Sequence, residues 1–341
     1  MHYFFSIQKK WQLFTMLAIF WFGFMPLANA QDFAACRDQF YRGSTPEIEK
    51  SALKRASYPL CFNGFAVMYS GVSYTPLWSA EYLTPQRLKQ AKTIKRKNDF
   101  HEEERIADRY RSHLSDYARS GYDRGHMSPN GDMANRSQQH DSFSLANMVP
   151  QSPKNNQEVW RNLEEATRTL VSKQNKAAYV VTGPAFLSSE LQQVGRVLVP
   201  THVYKVVYFP DLGIASAYFA PNNESGQVDV VSVQELEDTV GINLVPEMPA
   251  SIKVKRIMLP LNTRQASKSI QSWGGATSHA SQATQDAGSS DDNSIYGGMN
   301  HDATGHGNSH KHAAHSWVTA IIEMIKQQLL DLLASLLRGK S

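Results

Sequence analysis

A change in composition near Ala266 limits the part of this 341-residue chain that can form a folded core. Residues 266–315 are rich in Ser, Gly, Ala, Asn, Asp and His and contain very few large apolar side chains. Such a stretch buries too little surface to offset the entropy lost on ordering, so we predict a disordered, flexible linker. Its six histidines lack cysteines or a fixed scaffold, which favours a linker over a metal-binding tract. Residues 31–265 remain as one domain, long enough to enclose a sizeable core.

The first 30 residues have the pattern of a secretory signal peptide. Two lysines precede a mostly apolar run at 11–25, and residues 28–30, Ala-Asn-Ala, have the small-x-small form of a cleavage site. The apolar run is short for a membrane span of roughly 17–25 residues, which favours cleavage over a retained anchor. We therefore predict export to the periplasm or the medium, with no transmembrane segment in the mature chain. Cleavage leaves 33 basic residues (35 less two) against 31 acidic ones, a net charge of +2, so bulk charge does not identify a polyanionic partner.

The two cysteines of the chain, Cys36 and Cys61, would share an oxidising compartment after export. One disulfide is the favoured interpretation, and two buried thiols that do not meet are the alternative. By chain entropy such a bridge contributes about 3 kcal/mol to stability.

The last segment, residues 316–341, has helical periodicity over 316–338. Eight aliphatic side chains fall within one arc of about 120° on a helix, and charged side chains within the segment argue against a membrane span. This amphipathic face must be covered by docking on the domain, by self-association, by a partner groove or by a membrane surface. Because the polar face is not strongly basic, docking or association is favoured.

The domain between these segments mixes strand and helix patterns. Since the predicted strands do not alternate regularly with helices, we expect an α+β fold in preference to a doubly wound sheet. Helical periodicity is present at 157–173 and 232–239. Runs of β-branched or aromatic residues predict strands at 65–70, 75–78, 179–182, 196–199, 203–209 and 214–219.

The densest group of reactive side chains lies at residues 122–133, which read Tyr-Asp-Arg-Gly-His-Met-Ser-Pro-Asn-Gly-Asp-Met. An unperturbed histidine has a pKa of about 6.5, so His126 can act as a base at neutral pH. Arg124 offers a planar guanidinium group suited to phosphate. From these residues alone, a structural loop with a solvated histidine is an equally weighted alternative.

A second group of polar side chains follows a loop that begins at Asn147. On an α-helix, residues spaced by four form one stripe that turns by about 40° per step. This stripe is either a solvated edge or a surface that presents an oxygen ligand, a carboxylate and a guanidinium group to one site. Its members are Asn156, Trp160, Glu164 and Arg168.

The two groups together resemble the DNA/RNA non-specific endonucleases. The Asp-Arg-Gly-His motif at 123–126 is followed by the helix with Asn156-Gln157, Trp160 and Leu163-Glu164, in the order of that family. These are secreted, sugar-non-specific nucleases of the ββα-metal superfamily. The similarity covers most of 36–260 and excludes the linker and the last segment. It implies a ββα-metal nuclease core with a mixed or antiparallel sheet.

The resemblance also implies roles for individual residues. His126 matches the general base that takes a proton from the attacking water. Asn156 matches the single direct protein ligand of a Mg²⁺ ion, and Glu164 matches a carboxylate that acts on the metal through water. Such sparse ligation suits Mg²⁺, which prefers octahedral oxygen ligands, although the sequence leaves another divalent cation open. The arginines that face the phosphate and the supporting asparagine correspond to Arg124, Arg168 and Asn147.

A cationic run supports nucleic acid as the substrate. Six basic residues and no acidic one occur from Arg87 to Lys97, and phosphate contacts to such a run are independent of base sequence. A solvated face neutralised by the glutamates at 102–104 is the alternative. The family uses an arginine upstream of the histidine motif, for which Arg96 and Arg105 are both candidates. The predicted phosphate contacts are Arg87, Lys95, Arg96 and Arg105.

These observations predict a Mg²⁺-dependent endonuclease that acts on DNA and RNA with little sequence specificity and, as the resemblance implies, leaves 5′-phosphate ends. The alternatives are a nuclease-type effector or toxin, or a nucleic-acid-binding assembly protein. In both, residues 316–338 would recruit a partner or an inhibitor. The complete set of matching site residues argues against an inactive relative.

Overall fold

A seven-stranded antiparallel sheet is the main element of the domain. The computed structural model describes residues 32–269. Our predictions for the leader, for most of the linker and for the last segment lie outside these residues. In spatial order, with numbering along the chain, the strands of the sheet are β12 (Asp229–Val231), β11 (Ile214–Pro221), β10 (His202–Phe209), β7 (Ala178–Ala185), β4 (Thr75–Leu83), β3 (Phe65–Ser70) and β2 (Ser57–Phe62).

Six short strands form three further antiparallel pairs. The α+β class and the antiparallel sheet are thereby confirmed, because all pairings between these thirteen strands are antiparallel. The pairs are β1 (Glu47–Ile48) with β13 (Ile242–Asn243), β5 (Asp123–His126) with β6 (Met148–Gln151), and β8 (Gln193–Val194) with β9 (Val197–Leu198).

Five α-helices connect or cover the strands within residues 32–269, besides the helical residues 263–269 at the end of the described part. The first begins at Thr84, whose side chain accepts a hydrogen bond from Arg87 N, and the fourth begins with a capping box of Ser232 and Glu235. A π-helical segment, Asn155–Trp160, leads directly into the third. The helices are α1 (Pro85–Ala91), α2 (Arg136–Ser142), α3 (Arg161–Gln174), α4 (Val233–Val240) and α5 (Ala250–Lys253).

Hydrophobic side chains are buried on both faces of the sheet. Along β10, Tyr204 and Val206 enter one cluster and Val203 and Val207 enter the other, because successive strand residues point to opposite faces. Helix α3 adds Leu163, in its first turn, and Leu170 to the second cluster. The core therefore fixes the start of α3 against the sheet, and this is the part of the helix that carries the predicted site residues.

The predicted disulfide is present. Cys36 and Cys61 are bonded, with their Cα atoms 5.6 Å apart, and the bridge joins the N-terminal segment to β2. Beside it, Phe33 and Phe40 pack against the ring of Trp78 at centroid distances of 5.1 and 5.8 Å. The bridge and these rings together hold the first residues of the domain on the sheet.

The folded part extends beyond the boundary predicted at residue 265. Residues 263–269 are helical, and Ala266 is fully buried in the cluster beneath α3. The small side chain of Ala266 allows close packing here, and the extent of the linker beyond the described residues stays a prediction. Over residues 32–269, the helices are too short or too polar to cross a bilayer.

Candidate active site

The Asp-Arg-Gly-His motif forms strand β5, not a loop. In the β5–β6 ladder Arg124 lies opposite Pro150, and His126 lies opposite Met148. A Cβ atom on Gly125 would overlap the side chain of Gln151, so this position of the motif requires glycine for close packing. The strand pair thus places His126 at a fixed position beside the loop that precedes the site helix.

The side chain of Asn147 forms hydrogen bonds with the main chain that follows His126. Its Oδ1 accepts a hydrogen bond from Ser128 N at 2.9 Å, and its Nδ2 donates to Ser128 O at 2.8 Å and to Ser142 O at 2.9 Å. Its main-chain oxygen accepts a bond from Met127 N at 3.0 Å. The side chain is fully buried. Asn147 therefore fixes the main chain at Ser128 and Ser142, and its supportive role in the site stays a prediction.

His126 lies among apolar side chains and near two positively charged arginines. Its ring packs against Phe100 and Phe143 at centroid distances of 5.8 and 5.0 Å, and its Nε2 is buried without a hydrogen-bond partner among residues 32–269. Burial, together with the charges of Arg96 and Arg124, lowers the pKa of His126 to about 3. The imidazole is consequently neutral at pH 7, which is the form that can accept a proton.

Two arginines flank the histidine. The guanidinium carbon of Arg124 lies 4.0 Å from the ring centroid of Phe100, and that of Arg96 lies 5.4 Å from the centroid of Phe143. Arg96 Nε also donates to Asn98 Oδ1 at 2.7 Å. The charge of Arg96 influences the pKa values of both His126 and Glu164. Arg96 is therefore near enough for its charge to act on both His126 and Glu164, and its match to the upstream arginine stays a prediction.

The structure places Arg105 in a different setting. Its Nε and Nη2 bind the two carboxylate oxygens of Glu103 at 2.7 and 2.9 Å, and its Nη1 donates to Cys61 O at 2.7 Å. The same guanidinium group lies over the ring of Phe62 at 4.4 Å. These contacts engage all three nitrogens in holding the segment after the cationic run against β2. Its assignment as a phosphate contact stays a prediction, although its guanidinium group already binds a carboxylate.

Arg87 is also a structural residue and not a phosphate contact. The residue is 9% exposed, and its guanidinium group donates to three main-chain oxygens and to the carboxylate of Glu81. Helix α1 turns this position inward while the rest of the cationic run faces solvent, a difference that charge spacing alone does not reveal. The exposed members of the run are Lys89, Lys92, Lys95, Arg96 and Lys97.

Helix α2 holds the exposed cationic run next to the histidine. Arg136 Nη1 donates to Lys95 O at 2.6 Å, and Gln139 Oε1 accepts a bond from Lys97 N at 3.1 Å. Helix α2 ends beside Phe143, which contacts the ring of His126. The run that includes Lys95 and Arg96 therefore borders the site.

Asn156 lies in the π-helical segment and is tied to the histidine motif. Its Nδ2 donates to Asp123 Oδ2 at 2.9 Å, and Gln157 Nε2 donates to the same oxygen at 2.8 Å. With its amide nitrogen committed to Asp123, Asn156 presents its Oδ1 as an oxygen ligand of the kind that Mg²⁺ prefers. Single-turn π-helical segments within helices are frequent at functional sites.

The π-helical turn changes the predicted stripe. Because hydrogen bonds in a π-helix join residues five apart, the spacing of four does not keep Asn156 and Trp160 on one face. Trp160 is 1% exposed and belongs to the core, where Lys205 Nζ lies 5.6 Å from its ring centroid. The stripe prediction is therefore wrong for Trp160.

Glu164 and Arg168 do form one face of α3. Arg168 Nη1 lies 4.0 Å from Glu164 Oε2 and 3.0 Å from Asp132 Oδ1. Burial raises the pKa of Glu164 to about 7, although the charges of Arg168, Lys205 and Arg96 oppose the rise. A cation bound near Glu164 would favour the ionised carboxylate, because its positive charge offsets the effect of burial, which favours the protonated form.

Sequence reasoning assigned no role to Asp123 or Asp132, although both belong to the group at 122–133. Asp123 orients the amide of Asn156, and Asp132 holds Arg168. The adjacency of Asp123 to Arg124 within the motif was the only available signal. Among residues 32–269, no three His, Cys, Asp or Glu side chains are grouped so that they could hold a metal. The predicted ligands, one amide oxygen and one carboxylate that acts through water, are fewer than the three side chains of such a group.

Comparison with known proteins gives the class of this site. The sequence matches the profile of the DNA/RNA non-specific endonucleases over residues 43–251, which includes the motif strand and the site helix. The chain belongs to this family and is a hydrolytic nuclease.

Named relatives and a solved structure agree with this assignment. The chain is 34% identical to the mitochondrial nuclease of Saccharomyces cerevisiae over 220 residues, which are 55% of this chain and 66% of that protein. It is 30% identical to mitochondrial endonuclease G of Bos taurus, over 66% of this chain and 82% of that protein. It is 33% identical to a nuclease of Nostoc sp., over 62% of this chain and 82% of that protein. The EndoG chain of a crystal structure of the EndoG/EndoGI complex superposes with a TM-score of 0.50 at 26% identity, over 59% of this chain and 92% of that chain.

Proposed function

We propose that this nuclease is an exported, Mg²⁺-dependent endonuclease that cleaves DNA and RNA with little sequence specificity and leaves 5′-phosphate ends. One observation carries the proposal, namely a buried, neutral imidazole at His126 with the guanidinium groups of Arg96 and Arg124 beside it. The pKa of about 3 makes the ring a weak base in the free site, and the negative charge of a bound phosphate would raise this pKa by offsetting the two cations that lower it. The ring could then take a proton from water, and the same two cations can attract the phosphate.

The donors at Asn156 fit a magnesium ion. Asp123 fixes the amide so that Oδ1 is the atom left for a cation, and Glu164 follows on the helix that continues from the same segment. Asn156 would bind the ion directly, and Glu164 would accept hydrogen bonds from its hydration shell. When bound, the ion would supply positive charge at the phosphoryl group and the leaving 3′-oxygen.

The remaining site residues act on the substrate or on the base. His126 would remove the proton of the attacking water as the water approaches phosphorus in line with the leaving oxygen. Arg96, Arg124 and Arg168 would bind the phosphoryl oxygens and stabilise the negative charge that grows on them. Asn147 would keep His126 at a fixed distance from the phosphate, because its side chain binds both main-chain groups of Ser128, two residues after the histidine.

The exposed cationic run supports cleavage without sequence preference. Lys95 and its basic neighbours border the site and would contact the sugar–phosphate backbone, which carries no base information. Backbone recognition of this kind serves DNA and RNA alike. We expect cleavage to weaken steeply as salt rises, because counterions compete for the phosphates.

Export and a protein partner belong to the same proposal. The signal-like residues 1–30 and the bonded pair Cys36–Cys61 support an oxidising destination, periplasmic or extracellular. In the EndoG/EndoGI complex, the nuclease EndoG is inhibited. By analogy, we propose that an inhibitor or partner binds this chain, with residues 316–338 as the contact.

The test uses the mature protein with plasmid DNA and with single-stranded RNA, in Mg²⁺ and in EDTA. We expect both substrates to be cut in Mg²⁺, with 5′-phosphate termini on the products, and neither to be cut in EDTA. Metal-independent cleavage, or termini that carry a 3′-phosphate, would contradict the proposed chemistry.

A further inference from the structure

A buried guanidinium group holds the main chain at Asp132. Arg87 Nε donates to Asp132 O at 2.8 Å, and its Nη1 donates to Gly64 O at 2.6 Å and to Tyr82 O at 3.0 Å. Its Nη2 donates to Glu81 Oε2 at 3.0 Å. Because these acceptors lie on β4 and on the β2–β3 turn, Arg87 fixes the position of Asp132 relative to the central sheet.

Asp132 in turn fixes Arg168 through a hydrogen bond to its carboxylate. Its side chain is 3% exposed, so it lies out of reach of a substrate, and its Oδ1 accepts the bond from Arg168 Nη1 at 3.0 Å. Burial, followed by the charge of Asp132, raises the pKa of Glu81, against the opposing charge of Arg87. Asp132 is thus bound by Arg87 at its main-chain oxygen and binds Arg168 through its carboxylate.

Gly131 lies directly against the guanidinium group of Arg168. A Cβ atom at this position would lie 2.8 Å from Arg168 Nη1 and 3.1 Å from its Cζ, and the three atoms nearest to it belong to this guanidinium group. The φ angle of Gly131 is not in the left-handed region, so alanine is compatible with the main chain. A side chain here would displace the guanidinium group and leave the fold unchanged.

We propose that Asp132 and Gly131 position Arg168 for phosphate contact, with Arg87 as the residue that fixes them to the sheet. The role in phosphate contact rests on the proposed function, whereas the placement of Arg168 by Asp132 does not. The Arg168 side chain is 22% exposed, so it is not sealed in the core, while Asp132 binds its Nη1. Asp132 is a positioning residue in this account, because it acts only through Arg168.

The placement is tested without turnover by nitrogen-15 NMR of the arginine side chains in EDTA. The guanidinium signal of Arg168, assigned by its loss in Arg168→Lys, should report restricted rotation in the wild-type protein. We expect Asp132→Asn to release that restriction and Gly131→Ala to shift the signal. The control Glu237→Gln weakens another buried ion pair, with Lys253, and should leave the signal unchanged. An unchanged Arg168 signal in both Asp132→Asn and Gly131→Ala would overturn the proposal, whether or not the protein cleaves DNA.

The contribution to phosphate contact is tested by a double-mutant cycle. We expect Asp132→Asn and Gly131→Ala each to lower kcat/KM for plasmid DNA by about tenfold or more, because small displacements of a positioned group reduce turnover strongly. Neither should lower it further in an Arg168→Ala background. Equal losses in the two backgrounds would show a general structural role and would overturn this step. Wild-type protein that does not cleave in Mg²⁺ would refute the proposed function and, with it, the phosphate-contact step, while the NMR result would still decide the placement.

Discussion

Asn156 Nδ2 donates a hydrogen bond to Asp123 Oδ2 at 2.9 Å, and this bond joins the histidine motif to the helix that follows it. The first residue of the Asp-Arg-Gly-His strand therefore orients the amide that we propose as a metal ligand. One carboxylate oxygen serves both Asn156 and Gln157, so the π-helical turn is held against β5 at two adjacent residues.

Loss of the Asp123 carboxylate should weaken metal binding. In Asp123→Ala the Asn156 amide can rotate, and we expect the Mg²⁺ concentration for half-maximal activity to rise about 10- to 100-fold. Asn156→Ala should have at least as large an effect. Gln157→Ala removes a bond to the same oxygen without altering the proposed ligand, so it is the matched control. Equal metal requirements in Asp123→Ala and wild type would refute the orienting role.

Substitutions of Arg87 and Arg96 should affect different properties, namely the stability of the fold for Arg87 and the binding of substrate for Arg96. Arg87→Ala leaves Glu81 and three main-chain oxygens without their buried partner, so we expect the free energy of unfolding to fall by about 3–5 kcal/mol. Arg96→Ala should change thermal stability little and should lower DNA affinity in EDTA together with its salt dependence. Chemical denaturation and fluorescence binding titrations distinguish them. The assignment fails if Arg87→Ala is stable and loses only DNA affinity.

The residues of the domain differ in how far sequence alone could place them. Strand 65–70 was predicted with its observed bounds because its apolar side chains form a continuous run, as expected for a strand buried on both faces. Strand β5 was not predicted, since its four residues show no periodicity and become a strand only through pairing with β6. Local pattern therefore identifies the central strands, whereas the strand that carries the histidine depends on a non-local partner.

The same limit applies to the arginines. Charge spacing grouped Arg87 with the phosphate contacts, but its direction is set by the packing of α1, which the spacing does not encode. Arg96 and Arg105 were equivalent candidates by sequence, and only the structure shows the contacts of Arg105 with Glu103 and those of Arg96 around Phe143. The resemblance supplied Asn156 and Glu164, while the supporting carboxylates emerged only from the side-chain contacts.

The neutral state of His126 should appear in the pH dependence of stability. The folded-state pKa of about 3 lies below the unfolded value of about 6.5. Its contribution is therefore fully present above about pH 6.5 and is lost as pH falls toward about 3, because the unfolded chain binds the proton first. His126→Phe removes this linkage and should lose less Tm than wild type between about pH 7 and pH 5. Thermal unfolding in EDTA measures it, and identical acid losses in the two proteins would contradict the lowered pKa of His126.

Reduction of the disulfide should affect stability and not chemistry. The bridge closes a loop with a sequence separation of 25 residues far from His126 in the chain, and its loss should cost about 3 kcal/mol. We expect dithiothreitol to lower Tm while kcat well below Tm stays unchanged. The double variant with Cys36→Ser and Cys61→Ser should show the lower Tm with or without reductant. A loss of kcat at temperatures where the reduced protein is folded would indicate a direct link between the bridge and the site.

Plasmid cleavage by wild type and His126→Ala, in Mg²⁺ and in EDTA, tests the central claim most directly. We predict metal-dependent cleavage by wild type and a decrease in kcat of about 100-fold or more in His126→Ala, since general bases contribute on this scale. DNA affinity in EDTA should be nearly equal for the two proteins, because the phosphate-binding arginines remain. Comparable turnover by metal-replete His126→Ala, or wild-type cleavage that EDTA does not stop, would contradict the account.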